Sequence, residues 1–482
     1  MTAPFLKRAA LCVSVFVVVW IVALVWWSST RQIPGVAHVF GYLFALPVAI
    51  ICGAILALRA RAGSQTAIVP RADTPPPKVG EKQDSPDTQH LRAAIAHIAV
   101  RSAQGSSGVA IDSALTEGAR APLDTRLKDD QGFPVRAARV ATLHDEDLAA
   151  LREVWQAQYR DVPLADHTLR ALALLEEVVF DTAGLLGHIA LVDPLTGTDS
   201  RVQFDVIVDP RWDSALCVAL AQHLQARIAQ EWPHLLVGVT PVKGHTAASA
   251  LAQLDLAIMA LGHEAPEART AHAARWHVVA ATHSSLDDNT IAEALRAGYL
   301  FTPSNQNGEI AGESATAIAL HAQTQDSTEP RRAPDETADD AADKAQTPIA
   351  IIARPALKPV DEPHAPASNA AGALLEATAD RAMEFAGVAA NAIGSVVADK
   401  GAQATHAVEL ALFAGSRFPD LEPLVDTLAL DGGCGGTHAA GALLAVALAA
   451  HRAQTKGQPV LCTTLGDAAA QSAVVVLPLV PA

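Results

Sequence analysis

QNGEIAGESATAIAL (Gln306–Leu320) is the stretch on which the reading of this chain turns. Gly312 permits backbone angles closed to residues that carry a Cβ. The small side chains after it let a strand lie tightly between helices. Short apolar runs on either side support a buried sheet. IAHIAV (Ile95–Val100), FDVIVD (Phe204–Asp209), HLLVGVT (His234–Thr240) and WHVVAAT (Trp276–Thr282) read as strands. So do TPIAIIA (Thr347–Ala353), VLCTTLG (Val460–Gly466) and AVVVLPL (Ala473–Leu479) further on. Between them, Trp212–Gln230 has apolar residues at helical spacing. Leu251–Leu261 and Gly441–Ala450 read as Ala-rich helices buried almost all round. Strands alternating with helices predict an α/β fold whose sheets are covered on both faces.

The 482 residues suit two or three units. Half of them are apolar but only 4% are aromatic, so the core must be built from Ala, Val and Leu. A formal net charge of -16 argues against nucleic acid as a partner, because that affinity comes from neutralising phosphates with Lys and Arg. The five cysteines (Cys12, Cys52, Cys217, Cys434, Cys462) form no CxxC pair. They give no zinc signature and fit a reducing compartment. No metal or cofactor is expected.

Two apolar stretches precede the α/β region. Residues 9–27 and 36–58 are each long enough to cross a bilayer as a helix. Lys7 and Arg8 before the first, and Arg59, Arg61 and Arg71 after the second, place both ends in the cytoplasm by the positive-inside rule. The expected division is a transmembrane hairpin over 1–60 and a Pro-rich tether over 61–90. An N-terminal half over 91–322, an acidic linker over 323–346 and a C-terminal half over 347–482 follow. The expected location is a bacterial inner membrane, multi-pass, with the large domain on the cytoplasmic side.

Several segments, in order, resemble a degenerate β-ketoacyl synthase of the thiolase-like superfamily. They are the Gly-Glu turn and strand quoted above, DGGCGGTHAAGALLAVALAAHRA (Asp431–Ala453) and PVLCTTLGDAAAQSAVVVL (Pro459–Leu477). Weaker echoes lie in SSGVAIDSALTEGA (Ser106–Ala119) and WHVVAATHSS. The resemblance implies a five-layer α-β-α-β-α domain of two repeated halves. It also implies pairing through a central sheet, hence a homodimer.

The same resemblance implies a thiolate at the N-terminus of a buried helix and two histidines that promote decarboxylation. The helix slot reads VKGHTAASALAQLDLAIMALG (Val242–Gly262), with His245, Thr246, Ala247 and Ser249 but no cysteine. Lys400 stands at the first histidine slot and Gly435 at the second. All three catalytic positions therefore read as lost, and no catalytic residue is assigned. Cys434 with His438 four residues on, and Cys462, are the thiols that remain to be weighed. Each reads more simply as a small buried hydrophobe, as does Cys217. Ser249 has no G-x-S-x-G elbow around it.

The expected function is a membrane-anchored, catalytically inactive ketosynthase-like adaptor, which the resemblance links to type VI secretion effectors. The alternative is an acyl-thioester condensing or acyltransferase enzyme with a relocated cysteine.

Overall fold

The structure is a computed structural model. It describes residues 86–192, 201–263, 275–322, 348–359, 370–465, 467 and 470–479. The transmembrane hairpin is corrected first. Among the described residues no helix is long and apolar enough to cross a membrane, and the stretches 9–27 and 36–58 lie outside them. The inner-membrane location, the membrane-embedded partner reading and the membrane-anchored adaptor role all rested on that hairpin and are set aside with it. The acidic linker over 323–346 also lies outside the described residues.

The first half runs α1 (Pro86–Gln89), β1 (Arg92–Ser102), α2 (Gly108–Thr116), β2 (Leu123–Lys128), β3 (Pro134–Ala138), α3 (Asp145–Gln158) and α4 (Asp166–Val192). It continues with β4 (Arg201–Val208), α5 (Ser214–Glu231), β5 (Leu236–Lys243), α6 (Ala247–Gly262), β6 (Arg275–Ser284), α7 (Asp288–Ala297) and β7 (Ala311–Ala322). The second half has β8 (Ala350–Ala353), β9 (Ala356–Pro359), α8 (Ala370–Ala386), β10 (Ser395–Ala398) and α9 (Ala404–Arg417). It closes with β11 (Thr427–Ala429), α10 (Asp431–Cys434), α11 (His438–Lys456), β12 (Val460–Thr463) and β13 (Ala470–Leu477).

The sheet order states the repeat. The first half reads β5-β4-β6-β7-β1 and the second β11-β10-β12-β13-β8. In each, the first three strands are parallel and the next two join antiparallel. Residues 92–95 of β1 pair antiparallel with 350–353 of β8, which ties the two sheets together.

Three apolar clusters show the layers. α4 and α5 cover one face of the first sheet, and α8 and α9 cover the outer face of the second. α6 and α11 lie between the sheets. The result is the five-layer α-β-α-β-α arrangement. α11 is buried without interruption from Ala439 to Ala450, which explains its composition: helices pressed between two sheets approach closely only with small side chains. β7 shows the same logic along a strand. Ala315, Ala317 and Ala319 face α4, while Ile318 and Leu320 face the central layer.

Gly312 does not adopt a positive φ, contrary to the sequence reading. Its lack of a side chain matters for closeness instead. A Cβ there would sit 2.8 Å from the Cys434 carbonyl oxygen and 3.0 Å from Gly435 Cα. Gly435 itself has φ +72°, so the two glycines let one half's strand touch the other half's turn backbone to backbone.

Candidate functional site

In α/β sheets, chemistry gathers where parallel strands end and helices begin. Here both halves deliver residues to one such pole. β4 is followed by Asp209 and Arg211, and β5 by Gly244, His245 and Thr246, the last capping α6. β6 carries His283 near its carboxyl end. From the second half, β10 is followed by Asp399 and Lys400, and α11 opens on His438.

Three histidines converge at this pole. Ring atoms of His245, His283 and His438 able to bind a metal all lie within 4.8 Å of one another. The His245 and His438 rings stand 3.9 Å apart between centroids, and those of His283 and His438 4.6 Å. The backbone fixes them. Ala439 N donates to the His245 carbonyl at 3.1 Å, which ties the start of α11 to the residue before the α6 cap. His438 holds φ +49°, a left-handed conformation uncommon outside glycine. His438 follows the Gly435–Gly436 turn, which is tied to the start of β7 through Gly436 N donating to Ile310 O at 2.8 Å.

Burial pushes all three imidazoles below the usual histidine range; for His283 and His438 their histidine neighbours add to it. They are therefore neutral near pH 7, so each ring offers one donor and one acceptor nitrogen. His283 Nε2 is buried with no hydrogen-bond partner. Glu309 Oε1, also buried and unpartnered, lies 3.7 Å from His438 Nε2. Glu309 packs over Gly436, where a Cβ would meet Oε1 at 1.8 Å. At Asp209, burial raises the carboxyl, but Arg211 outweighs it and holds the group at about 2. The Arg211 guanidinium donates from Nη2 to Asp209 Oδ2 at 2.7 Å and from Nε to Oδ1 at 3.0 Å.

The helix slot where the resemblance asks for a thiolate is closed differently. Ala248 N, in the first turn of α6, donates to Asp467 Oδ2 at 3.0 Å, so an internal carboxylate sits at that helix N-terminus. Thr246 Oγ1 accepts from Ser249 N at 3.2 Å, and Ser249 Oγ donates to the Thr246 carbonyl at 2.6 Å. Ser249 therefore serves the cap. Lys400 acts on His245 and His438 through its charge. Next to it, burial raises the Asp399 carboxyl to about 7, even though Leu465 N donates to its Oδ1 at 2.8 Å.

Of the thiols, Cys434 closes α10, fully buried, and bonds Ser102; burial pushes it up to about 12. Cys462 lies in β12 between β10 and β13, where burial again raises its thiol. Cys217 sits half-buried in α5, its thiol also raised by burial. A raised pKa keeps a thiol protonated and poorly nucleophilic. The structure thus brings His438 into the site with His245 and His283, while Cys434 and Cys462 stand in the core.

His283 was not singled out from the sequence. Its strand was visible in WHVVAATHSS, and a histidine ending a strand of a parallel set was the available signal. The fragments GHT, THS and GTH each put a histidine at the edge of an element. Only the fold shows that these three edges meet.

No protein-family model matches the sequence, and no curated protein matches it. Solved structures do. A ketosynthase from module 6 of the bacillaene synthase of Bacillus subtilis 168 superposes with TM-score 0.55 at 13% identity, over 81% of this chain and 72% of that one. An oxazolomycin ketosynthase domain of Streptomyces albus JA3453 gives 0.52 at 13%, over 81% and 74%. A β-ketoacyl synthase from Burkholderia phymatum STM815 gives 0.51 at 14%, over 81% and 100%. At such identities the likeness is one of fold: the chain has the thiolase-like architecture of the β-ketoacyl synthases.

Proposed function

We propose that this chain turns over acyl thioesters at the histidine pole without a cysteine-bound intermediate. The observation that carries the reading is the convergence of His245, His283 and His438 where α6 and α11 begin. The choice of thioesters follows the ketosynthases whose fold it shares. A site with neutral imidazoles and no thiolate suits the part of that chemistry that needs no nucleophile, the loss of CO2 from a malonyl-type thioester. The bond from Cα to the carboxylate breaks and its electron pair passes into the thioester enolate. The enolate oxygen accepts N–H hydrogen bonds from the imidazoles. A proton from water then returns to Cα, leaving an acetyl-type thioester. Donors aimed at developing charge in a partly buried site are the efficient way to lower such a barrier.

The test is to incubate the purified chain with malonyl-CoA and follow acetyl-CoA by chromatography. Product should form, and His283→Ala and His438→Ala should each slow it at least about tenfold, in line with losing one positioned group. Cys434→Ala and Cys462→Ala should leave the rate per folded molecule unchanged. No product from the wild-type chain, or undiminished rates in both histidine variants, defeats the reading.

A further inference from the structure

The geometry points to a second property of the same three side chains: His245, His283 and His438 form a binding site for one divalent transition-metal ion of the zinc class. This goes beyond the thioester reading and does not depend on it. Three neutral imidazoles are the donor set zinc takes in open three-ligand sites. A tetrahedral zinc with bonds of about 2.0–2.1 Å spaces its ligand atoms about 3.4 Å apart. The ring nitrogens lie within 4.8 Å already, so small side-chain rotations close the shell.

A second observation is independent of the spacing. His283 is 8% exposed, and its Nε2 has no hydrogen-bond partner. A buried polar atom left so is costly, and a metal ion bound through it would satisfy it. Glu309 Oε1, likewise unpartnered, lies 3.7 Å from His438 Nε2, beside the three ligand atoms but not among them, so the fourth position is left to water. Access exists, since the His438 side chain keeps 24% of its surface. The surrounding charge permits a cation. Asp209 and Glu309 face the cluster, against Arg211 and Lys400. Asp209 and Arg211 cancel through their paired bonds, which leaves Glu309 to balance Lys400 and no net positive charge against the ion. Soft thiolates are absent from the set, which favours Zn2+, Co2+ or Ni2+ over Cu+.

The experiment uses the full chain prepared without a polyhistidine tag, stripped with a chelator and re-equilibrated with Zn2+ alone. Metal content is read by emission spectroscopy, and Co2+ is substituted to read coordination from its visible bands. One ion per chain and intense tetrahedral cobalt bands are expected. His283→Ala and His438→Ala should each weaken zinc at least tenfold, while His277→Asn, outside the cluster, should not. Melting in chelator and in zinc guards against misfolding. Wild type and variants should melt alike in chelator, and only the wild type should rise with zinc. If a variant melts early in chelator, His438→Asn takes its place in the comparison. Zinc retention in wild type no greater than in the variant lacking all three imidazoles, or cobalt bands of octahedral type, overturns the proposal. Zinc binding without acetyl-CoA formation would leave this site standing and remove the thioester reading. The converse result would remove the site alone.

Discussion

Glu313 belongs to the stretch first quoted, where it read only as half of a Gly-Glu turn. Fully buried, it accepts from Arg170 Nε at 2.7 Å and Nη2 at 2.6 Å, from Val140 N at 2.9 Å and from Ser284 Oγ at 3.2 Å. One carboxylate thus ties β7 to α4, to β6 and to the chain just after β3. Removing one side of a buried pair strands the other charge, at about 3–5 kcal/mol. Arg170→Met should therefore lower the urea unfolding free energy by that amount. The double change Arg170→Met with Glu313→Met should recover much of it, because no charge is then left unpaired. Additive losses in the double variant would show that the pair is not dry in solution. A lone Glu next to glycine carries no trace of a partner so distant in the chain, which is why this anchor was not legible in the sequence.

Whole elements were read better than single contacts, and unevenly. β1, β4, β6, α5, α6 and α11 stood out because continuous apolar runs and helical spacing are local properties. α4 did not, although it spans Asp166–Val192 and presents Leu172, Leu175, Val179 and Leu186 to the first sheet. It contains Gly184 and Gly187, and glycine is a poor helix former. In the fold they make room for Trp232, whose ring a Cβ at Gly187 would meet at 2.7 Å. The turn after β10 carries a prediction of its own. Asp399 titrates near 3.9 when unfolded and near 7 when folded, because burial penalises its charge. The native state then holds the extra proton between those values. The contribution of this group to stability is greatest below about pH 4, falls as pH rises towards 7 and is level above. Asp399→Asn should flatten that slope in denaturation midpoints measured from pH 4 to 8. An unchanged slope would mean that the carboxyl is hydrated.

At the scale of the molecule, the two halves share one central layer. α6 and α11 belong to the same apolar cluster, which takes in the inner faces of both sheets. A fragment ending at residue 322 would leave the central face of the first sheet and α6 without α11. It should fail to unfold cooperatively and should bind hydrophobic dyes, whereas the entire chain should show one transition for this domain. A fragment with its own sharp transition would show that each half is stable alone. The five-layer architecture was legible because its motifs recur in order along the chain. The histidine pole was not, because its members come from three separate segments: the first sheet brings His245 and His283 together, and the packing of the second half adds His438. The membrane hairpin was read from hydropathy in residues that the described structure does not include, and nothing in the described helices supports it.

β1 lies between β7 on one side and β8 on the other, although it is the first strand of the sheet to be made. Its pairing with β7 must wait until the chain has been synthesised past residue 311, and its other edge stays open until β8 follows. At ribosomal rates of about 5–20 residues per second, this exposes an apolar strand with unpaired backbone for tens of seconds. The fold therefore places an aggregation hazard early in biosynthesis, while both edges of β1 are open to pairing with another chain.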